Sequence, residues 1–251
     1  MDVAIDLALA LDPVRLASAT LGMDPDPWQR RVLRSTAPRV LLNAARQSGK
    51  STTVAILATH TVLYEPDSLV LLLSPSLRQS AELFKKCLAV YRAVEHPVPS
   101  ESQTALTLTL ENGSRIVSLP GQEANVRGYS GVRLLIVDEA SRVPNDLYAS
   151  ARPMLAVSGG RLLALSTPFG TRGWWYEAWV SGAREPWERY EVPATRVARI
   201  SPEFLAEERR TLGEWWFEQE YMCRFLDAET QAFRRVDIDR AFEEEVEAWD
   251  L

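Results

Sequence analysis

Short apolar runs, separated by stretches of helical period, constrain this chain more than any other feature of its sequence. Leu69 to Leu73 and Leu134 to Val137 are apolar at every position, so strands built from them need cover on both faces. Arg39 to Asn43, Ser68 to Leu73 and Arg161 to Leu165 read as buried strands in the same way. Between them, Gly49 onward reads as a helix through Ala55, Ile56, Ala58 and Val62. Residues 78–94 read as a second helix, with Leu83, Phe84, Cys87, Leu88 and Tyr91 on one face. This alternation predicts an α/β fold, a mostly parallel central sheet with helices on both faces. One interruption is expected: Leu106, Leu108 and Leu110 alternate with threonines, and Asn112-Gly113 turns the chain into Arg115 to Leu119, a hairpin signal. Residues 202–221 read as one charged, tryptophan-bearing helix. Trp174, Trp175, Trp179, Trp215 and Trp216 are most economically core or interface residues.

In such sheets ligands bind beyond the carboxyl ends of the strands. Here those ends are Asn43 to Ser51, Ser74, Asp138-Glu139 and Ser166-Thr167. Composition closes off the alternatives. Hydrophobic residues at 46% and charged residues at 25% exclude disorder, collagen and coiled coil as the main architecture. No apolar run approaches the length of a membrane span, and no membrane association is expected. Two cysteines, Cys87 and Cys223, are too few for a disulfide framework and are expected as buried thiols. The net charge of −6 sits in residues 227–251, which hold nine acids and three arginines; residues 1–226 balance 25 bases against 25 acids. The expected organisation is therefore one domain over 1–226 and an acidic linker or tail over 227–251.

Residues 44–51 read Ala-Ala-Arg-Gln-Ser-Gly-Lys-Ser. Gly49, Lys50 and Ser51 match the end of the P-loop pattern, with Ala44 where a first glycine is usual. A strand precedes the segment and a helix follows. That geometry turns the backbone N–H groups of Ala45, Arg46, Gln47, Ser48, Gly49, Lys50, Ser51 and Thr52 toward phosphate oxygens. Lys50 supplies a point charge, and the Ser51 hydroxyl can coordinate Mg²⁺. Leu134 to Val137 ends in Asp138-Glu139. An aspartate at this strand end can hold Mg²⁺, and the adjacent glutamate can act as general base on water. Loop and acidic pair together point to ATP hydrolysis. The strand and hairpin between them suggest a P-loop NTPase of the additional-strand, catalytic-glutamate type.

In its ordered motifs the chain resembles the large subunit of a tailed-bacteriophage terminase, the motor that packages viral DNA. The phosphate loop carries Arg46, and Arg127-Gly128 lies upstream of Asp138-Glu139-Ala140 at the spacing typical of that family. Ser166-Thr167-Pro168 resembles its coupling motif, and Pro27-Trp28-Gln29-Arg30 its adenine-reading segment. Glu218-Gln219-Glu220-Tyr221 with Phe225 resembles the end of its motor domain. The resemblance spans roughly residues 20–235. It implies an ATPase motor driving double-stranded DNA into a procapsid in the cytoplasm of the infected host cell. It implies a portal protein and a small terminase subunit as partners. A homo-oligomeric ring, commonly a pentamer, would form when active, with a monomer in isolation. In that family a metal-dependent nuclease domain follows the motor. No nuclease activity is expected of residues 1–251, and the acidic segment reads as a linker.

Within that resemblance, Gln29 is the candidate for the adenine edge, since its amide offers both donor and acceptor. Arg46 and Arg127 are the candidate arginine fingers, because a permanently charged fork suits the charge developing on a transferring phosphoryl group. Arg46 is placed as a phosphate sensor in cis and Arg127 as the finger reaching a neighbour's nucleotide, with a structural ion pair as the alternative for either. Thr167 is the candidate γ-phosphate sensor. Two rival functions remain open on these residues: a helicase-like, nucleic-acid-dependent ATPase, and a nucleotide-responsive binding module without turnover.

Overall fold

The computed structural model describes residues 3–121, 128–181 and 186–227. Eight strands form one sheet among them: β1 Arg39–Ala44, β2 Leu69–Ser74, β3 Ser100–Gln103, β4 Thr107–Leu110, β5 Arg115–Pro120, β6 Val132–Asp138, β7 Arg161–Ser166 and β8 Glu188–Val192. Their order across the sheet is β3-β4-β5-β2-β6-β7-β1-β8. The six strands from β5 to β8 in that order are mutually parallel, and only the β3–β4–β5 meander is antiparallel. The expected mostly parallel sheet and the hairpin around Asn112-Gly113 are both present. β7 lies between β1, which feeds the phosphate loop, and β6, which carries the acidic pair. An additional strand thus separates the two, as the expected fold type requires, but it is β7, which follows the acidic pair in the chain, whereas the strand between the motifs, β2, lies on the far side of β6.

Alternation along the central strands explains the layering. Val40, Leu42, Val70, Leu72, Ile136 and Leu163 face one side of the sheet. They pack under α2 Pro13–Leu21, α3 Pro27–Arg34, α4 Lys50–Tyr64 and α5 Leu77–Ala93. Their neighbours Leu41, Leu71, Leu135 and Ala164 face the other side, under α6 Asn145–Ala151 and α7 Gly173–Val180. Trp174 and Trp175 are buried in that second layer, as expected of core tryptophans, and Tyr148 stacks on Trp174 with ring centroids 3.8 Å apart. Because successive strand residues point to opposite faces, both sets need to be apolar. α1 Val3–Leu11 is held by His60, whose Nε2 lies 3.1 Å from the Leu9 carbonyl.

Three features differ from the sequence expectation. The helix expected over 202–221 is two, α8 Pro202–Leu212 and α9 Glu214–Glu220, broken at Gly213 with φ +80 and ψ 163, a conformation outside any helix. β8 and the short edge strand β3 were not anticipated, because their residues are charged or polar and exposed on at least one side. The helices α1 to α3 were likewise not read from the sequence. Cys87 and Cys223 are free and buried, and burial pushes both thiols up to about 12. No helix among the described residues is long and apolar enough to cross a membrane.

Candidate functional site

Parallel register brings the carboxyl ends of three strands level. Asn43 in β1 pairs with Ser166 in β7, and Asp138 in β6 pairs with Leu165 in β7. The phosphate loop therefore leaves the sheet at the height of the acidic pair, one strand away.

The loop is anchored where it leaves β1. Ala45 is buried and donates its N–H to the Val192 carbonyl at 3.0 Å, while the Arg46 N–H donates to the Glu220 carbonyl at 3.1 Å. Two left-handed residues, Gln47 at φ +58 and Gly49 at φ +93, curl the backbone before α4 starts at Lys50. Such curling turns successive amides to one side, the arrangement that binds anions, at the positive end of a 15-residue helix. Ala44 remains in β1, so the missing first glycine costs nothing: the positive φ values fall later in the loop. Ser48 is buried, and Ser51 and Thr52 occupy the first turn of α4, half-buried.

Lys50 is buried, and its Nζ lies 3.6 Å from Glu139 Oε1. Asp138 is 6% exposed, and its Oδ1 accepts the Glu139 N–H at 3.0 Å. Glu139 itself has φ +48 and ψ 45, a left-handed conformation rare for a residue with a side chain. It carries the carboxylate off the strand line and toward Lys50. Ser51, Asp138 and Glu139 line one cavity of about 150 Å³ with Arg78, Gln79 and Lys86 of α5. Burial, then the neighbouring Glu139 charge, pushes the Asp138 carboxyl up to about 6, against the opposing pull of Lys50 and Lys86. A buried carboxylate held above its ordinary range gains most from an added cation. A hydroxyl and a carboxylate on one cavity suit Mg²⁺, which takes few protein oxygens and fills its shell from phosphate and water. No group of three or more His, Cys, Asp or Glu that could hold a metal ion exists among the described residues.

The remaining expected residues fall as follows. Thr167 is buried directly after β7, between the two strands that carry the loop and the acids. Its neighbour Ser166 ties β7 to the turn after Glu139, the Ser166 and Ser141 hydroxyls lying 2.7 Å apart. Arg46 is exposed, its Nε 2.6 Å from Glu220 Oε2; in this conformation it makes the ion pair that was its alternative reading. Gln29 is 1% exposed. Its Oε1 accepts the Asp26 N–H at 2.8 Å and its Nε2 donates to Thr53 Oγ1 at 2.9 Å, and Thr53 in turn donates to the Gly49 carbonyl at 3.1 Å. Gln29 thus stands behind the phosphate loop and braces it, with both ends of its amide engaged inside the protein. Arg127 lies outside the described residues, as does the acidic segment beyond residue 227. Sequence reasoning missed Glu220 as the partner of Arg46, Thr53 as the partner of Gln29, and Arg199, which reaches the Ser48 carbonyl at 2.7 Å. These contacts join residues far apart in the chain, and no local spacing announces them.

Comparison with known proteins agrees with this geometry. Residues 41–240 match the family model described as "Terminase large subunit, T4likevirus-type, N-terminal". The terminase large subunit of Thermus phage G20c is 26% identical over 253 aligned residues, covering 87% of this chain and 52% of that protein. The chain thus spans about half the length of the curated relatives it matches. The large terminase ATPase domain of Thermus phage P74-26 superposes with a TM-score of 0.76 at 25% identity, covering 86% of this chain and all of that one. The large terminase of the thermophilic bacteriophage D6E in complex with ADP shares the fold, with a TM-score of 0.67 at 11% identity, over 80% of this chain and 53% of that one. The chain belongs to the family of N-terminal domains of terminase large subunits.

Proposed function

We propose that this chain is a Mg²⁺-dependent ATPase that drives translocation of double-stranded DNA into a viral procapsid, as the motor part of a terminase large subunit. The observation that carries the reading is the meeting of Lys50 with Glu139 at 3.6 Å, beside a cavity shared by Ser51 and Asp138. Family membership supports the packaging role, and the binding of ADP by the D6E large terminase supports ATP as the nucleotide.

The loop amides from Gln47 to Thr52 and the Lys50 ammonium hold the β- and γ-phosphates, whereas the expected Ala45 and Arg46 amides are already taken by the Val192 and Glu220 carbonyls. Ser51 and Asp138 would hold the magnesium, which would supply positive charge to neutralise the phosphate oxygens. Glu139 accepts a proton from the attacking water, and Lys50, 3.6 Å away, aims its carboxylate. Thr167 and Ser166 stand where loss of the γ-phosphate would be felt by β7 and the Ser141 turn. Arg46 would leave Glu220 for the phosphates once nucleotide is bound, and Arg127 would complete a neighbour's site. Turnover then belongs to an assembled ring on a portal protein, with a small terminase subunit delivering DNA, in the cytoplasm of the infected host cell. Gln29 is proposed to reach adenine only by exchanging its Asp26 or Thr53 bond.

Steady-state ATP hydrolysis by the wild type and Glu139→Gln tests this. Loss of a general base should cut turnover roughly 10²–10⁴-fold while nucleotide affinity stays near the wild-type value. A wild type that binds ATP but never turns it over, at high protein concentration and with DNA, would mark a binding module instead. Strand displacement without a procapsid would mark a helicase.

A further inference from the structure

Arg199 lies two residues before Ser201, the N-cap of α8, and about 150 positions from the phosphate loop in sequence. Its guanidinium nevertheless grips that loop. Nη1 pairs with Asp26 Oδ2 at 2.8 Å, and Nη2 donates to the Ser48 carbonyl at 2.7 Å. Asp26 is the N-cap of α3 and is tied to Gln29 through its own N–H. A Cβ built on Gly49 would meet Arg199 Nη2 at 3.1 Å and Gln29 Nε2 at 3.2 Å, so both side chains close on the same point of the loop.

We propose that Arg199 is a positioning residue for polyphosphate: by holding the Ser48 carbonyl outward, it aims the Gly49 N–H into the phosphate-binding curl. This rests on the nucleotide reading of the site given above. The peptide between Ser48 and Gly49 is planar and trans, so its C=O and N–H point in opposite directions. A carbonyl fixed on Arg199 leaves the amide facing away from Arg199, toward the interior of the curl. Gly49, at φ +93 and without a Cβ, does little by itself to stop that peptide from rotating. Arginine suits the task because its planar fork serves two acceptors at once, one of them a carboxylate whose side chain is only 14% exposed. Lysine offers one compact ammonium in place of the fork.

The affinities of ATP, ADP and adenosine for the wild type, Arg199→Ala and Arg199→Lys, measured by calorimetry and ligand-observed NMR, test the assignment. Arg199→Ala should weaken ATP and ADP by roughly tenfold or more, the loss expected for a charge-assisted bond, and leave adenosine within about twofold. Arg199→Lys should fall between the alanine variant and the wild type. Asp26→Asn, which keeps a good N-cap, should give a smaller loss with the same dependence on phosphate. It provides the test if Arg199→Ala does not fold. Wild-type affinity for ATP and ADP in these variants would overturn the proposal, as would an equal loss for adenosine. A wild type that binds neither ATP nor ADP would overturn the nucleotide reading itself.

Discussion

Asp138 concentrates the electrostatics of the site in one side chain. It is 6% exposed, beside Glu139, with its carboxyl pushed up to about 6 from an ordinary 3.8. Between those values the folded chain binds more proton than the unfolded one, so ligand-free stability falls as pH rises through the window and the penalty is complete above about 6. Asp138→Asn removes the penalty and keeps an oxygen for the Glu139 N–H. At pH 7 it should stabilise the nucleotide-free protein by on the order of 1–3 kcal/mol, read as a higher Tm, while Mg²⁺ ceases to tighten nucleotide binding. For the wild type, Mg²⁺-dependent affinity should fade as pH drops through about 6, where the proton replaces the cation. A variant with a lower Tm and intact Mg²⁺ dependence would show that Asp138 is a structural acid. At this scale the sequence was legible for the residues that the fold brings together from short motifs. Lys50, Ser51, Asp138 and Glu139 each sit in a short motif whose spacing carries the chemistry. Arg199 and Glu220 were not legible, because their role is created by contacts with Ser48 and Arg46 that only folding makes. The brace that Gln29 forms with Thr53 was hidden for the same reason.

Elements set the height at which these residues meet. β6 and β7 pair from Leu134–Arg161 to Asp138–Leu165, and this register levels Asp138 with the end of β7. The pairing begins beside Gly160, where an added Cβ would lie 1.9 Å from the Val132 carbonyl oxygen. Gly160→Ala must push β7 away from β6 at that point. It should destabilise the fold by about 1–3 kcal/mol in denaturant unfolding, as overpacking of this kind does. It should also lower turnover more than it lowers nucleotide affinity, because the acids shift relative to the loop. Unchanged stability would mean that the two strands are not packed as described. The central strands were legible because burial on both faces leaves an apolar signature that helices between them punctuate. β8 was not: Glu188, Arg189, Tyr190 and Glu191 are all polar or charged at the sheet edge, and only pairing with β1 makes them a strand. The single helix expected over 202–221 failed at Gly213, where a periodic pattern continues across a backbone break.

The molecule as a whole places β7 between the phosphate-loop strand and the acidic strand. If Arg127 acts in trans, ATP turnover per chain should rise with protein concentration, and Arg127→Ala should remove that rise while leaving nucleotide affinity within about twofold, since an arginine finger contributes roughly 10³–10⁵-fold to turnover and not to binding. Turnover per chain that is independent of concentration would place the whole active site in one subunit. The mostly parallel sheet could be anticipated from the alternation of apolar runs and helical stretches, whereas the strand order across it was not read, because it is set by which strands pair rather than by any local pattern.

The central claim is that the phosphate loop and the acidic pair share one magnesium nucleotide, and a crystal structure with Mg²⁺ and a non-hydrolysable ATP analogue tests it most directly. The account predicts the β- and γ-phosphates within hydrogen-bonding distance of Lys50 Nζ and the loop amides, with the metal between Ser51 and Asp138 and Glu139 facing the γ-phosphate. A nucleotide bound elsewhere, or a metal that leaves Asp138 without contact directly or through water, would contradict it.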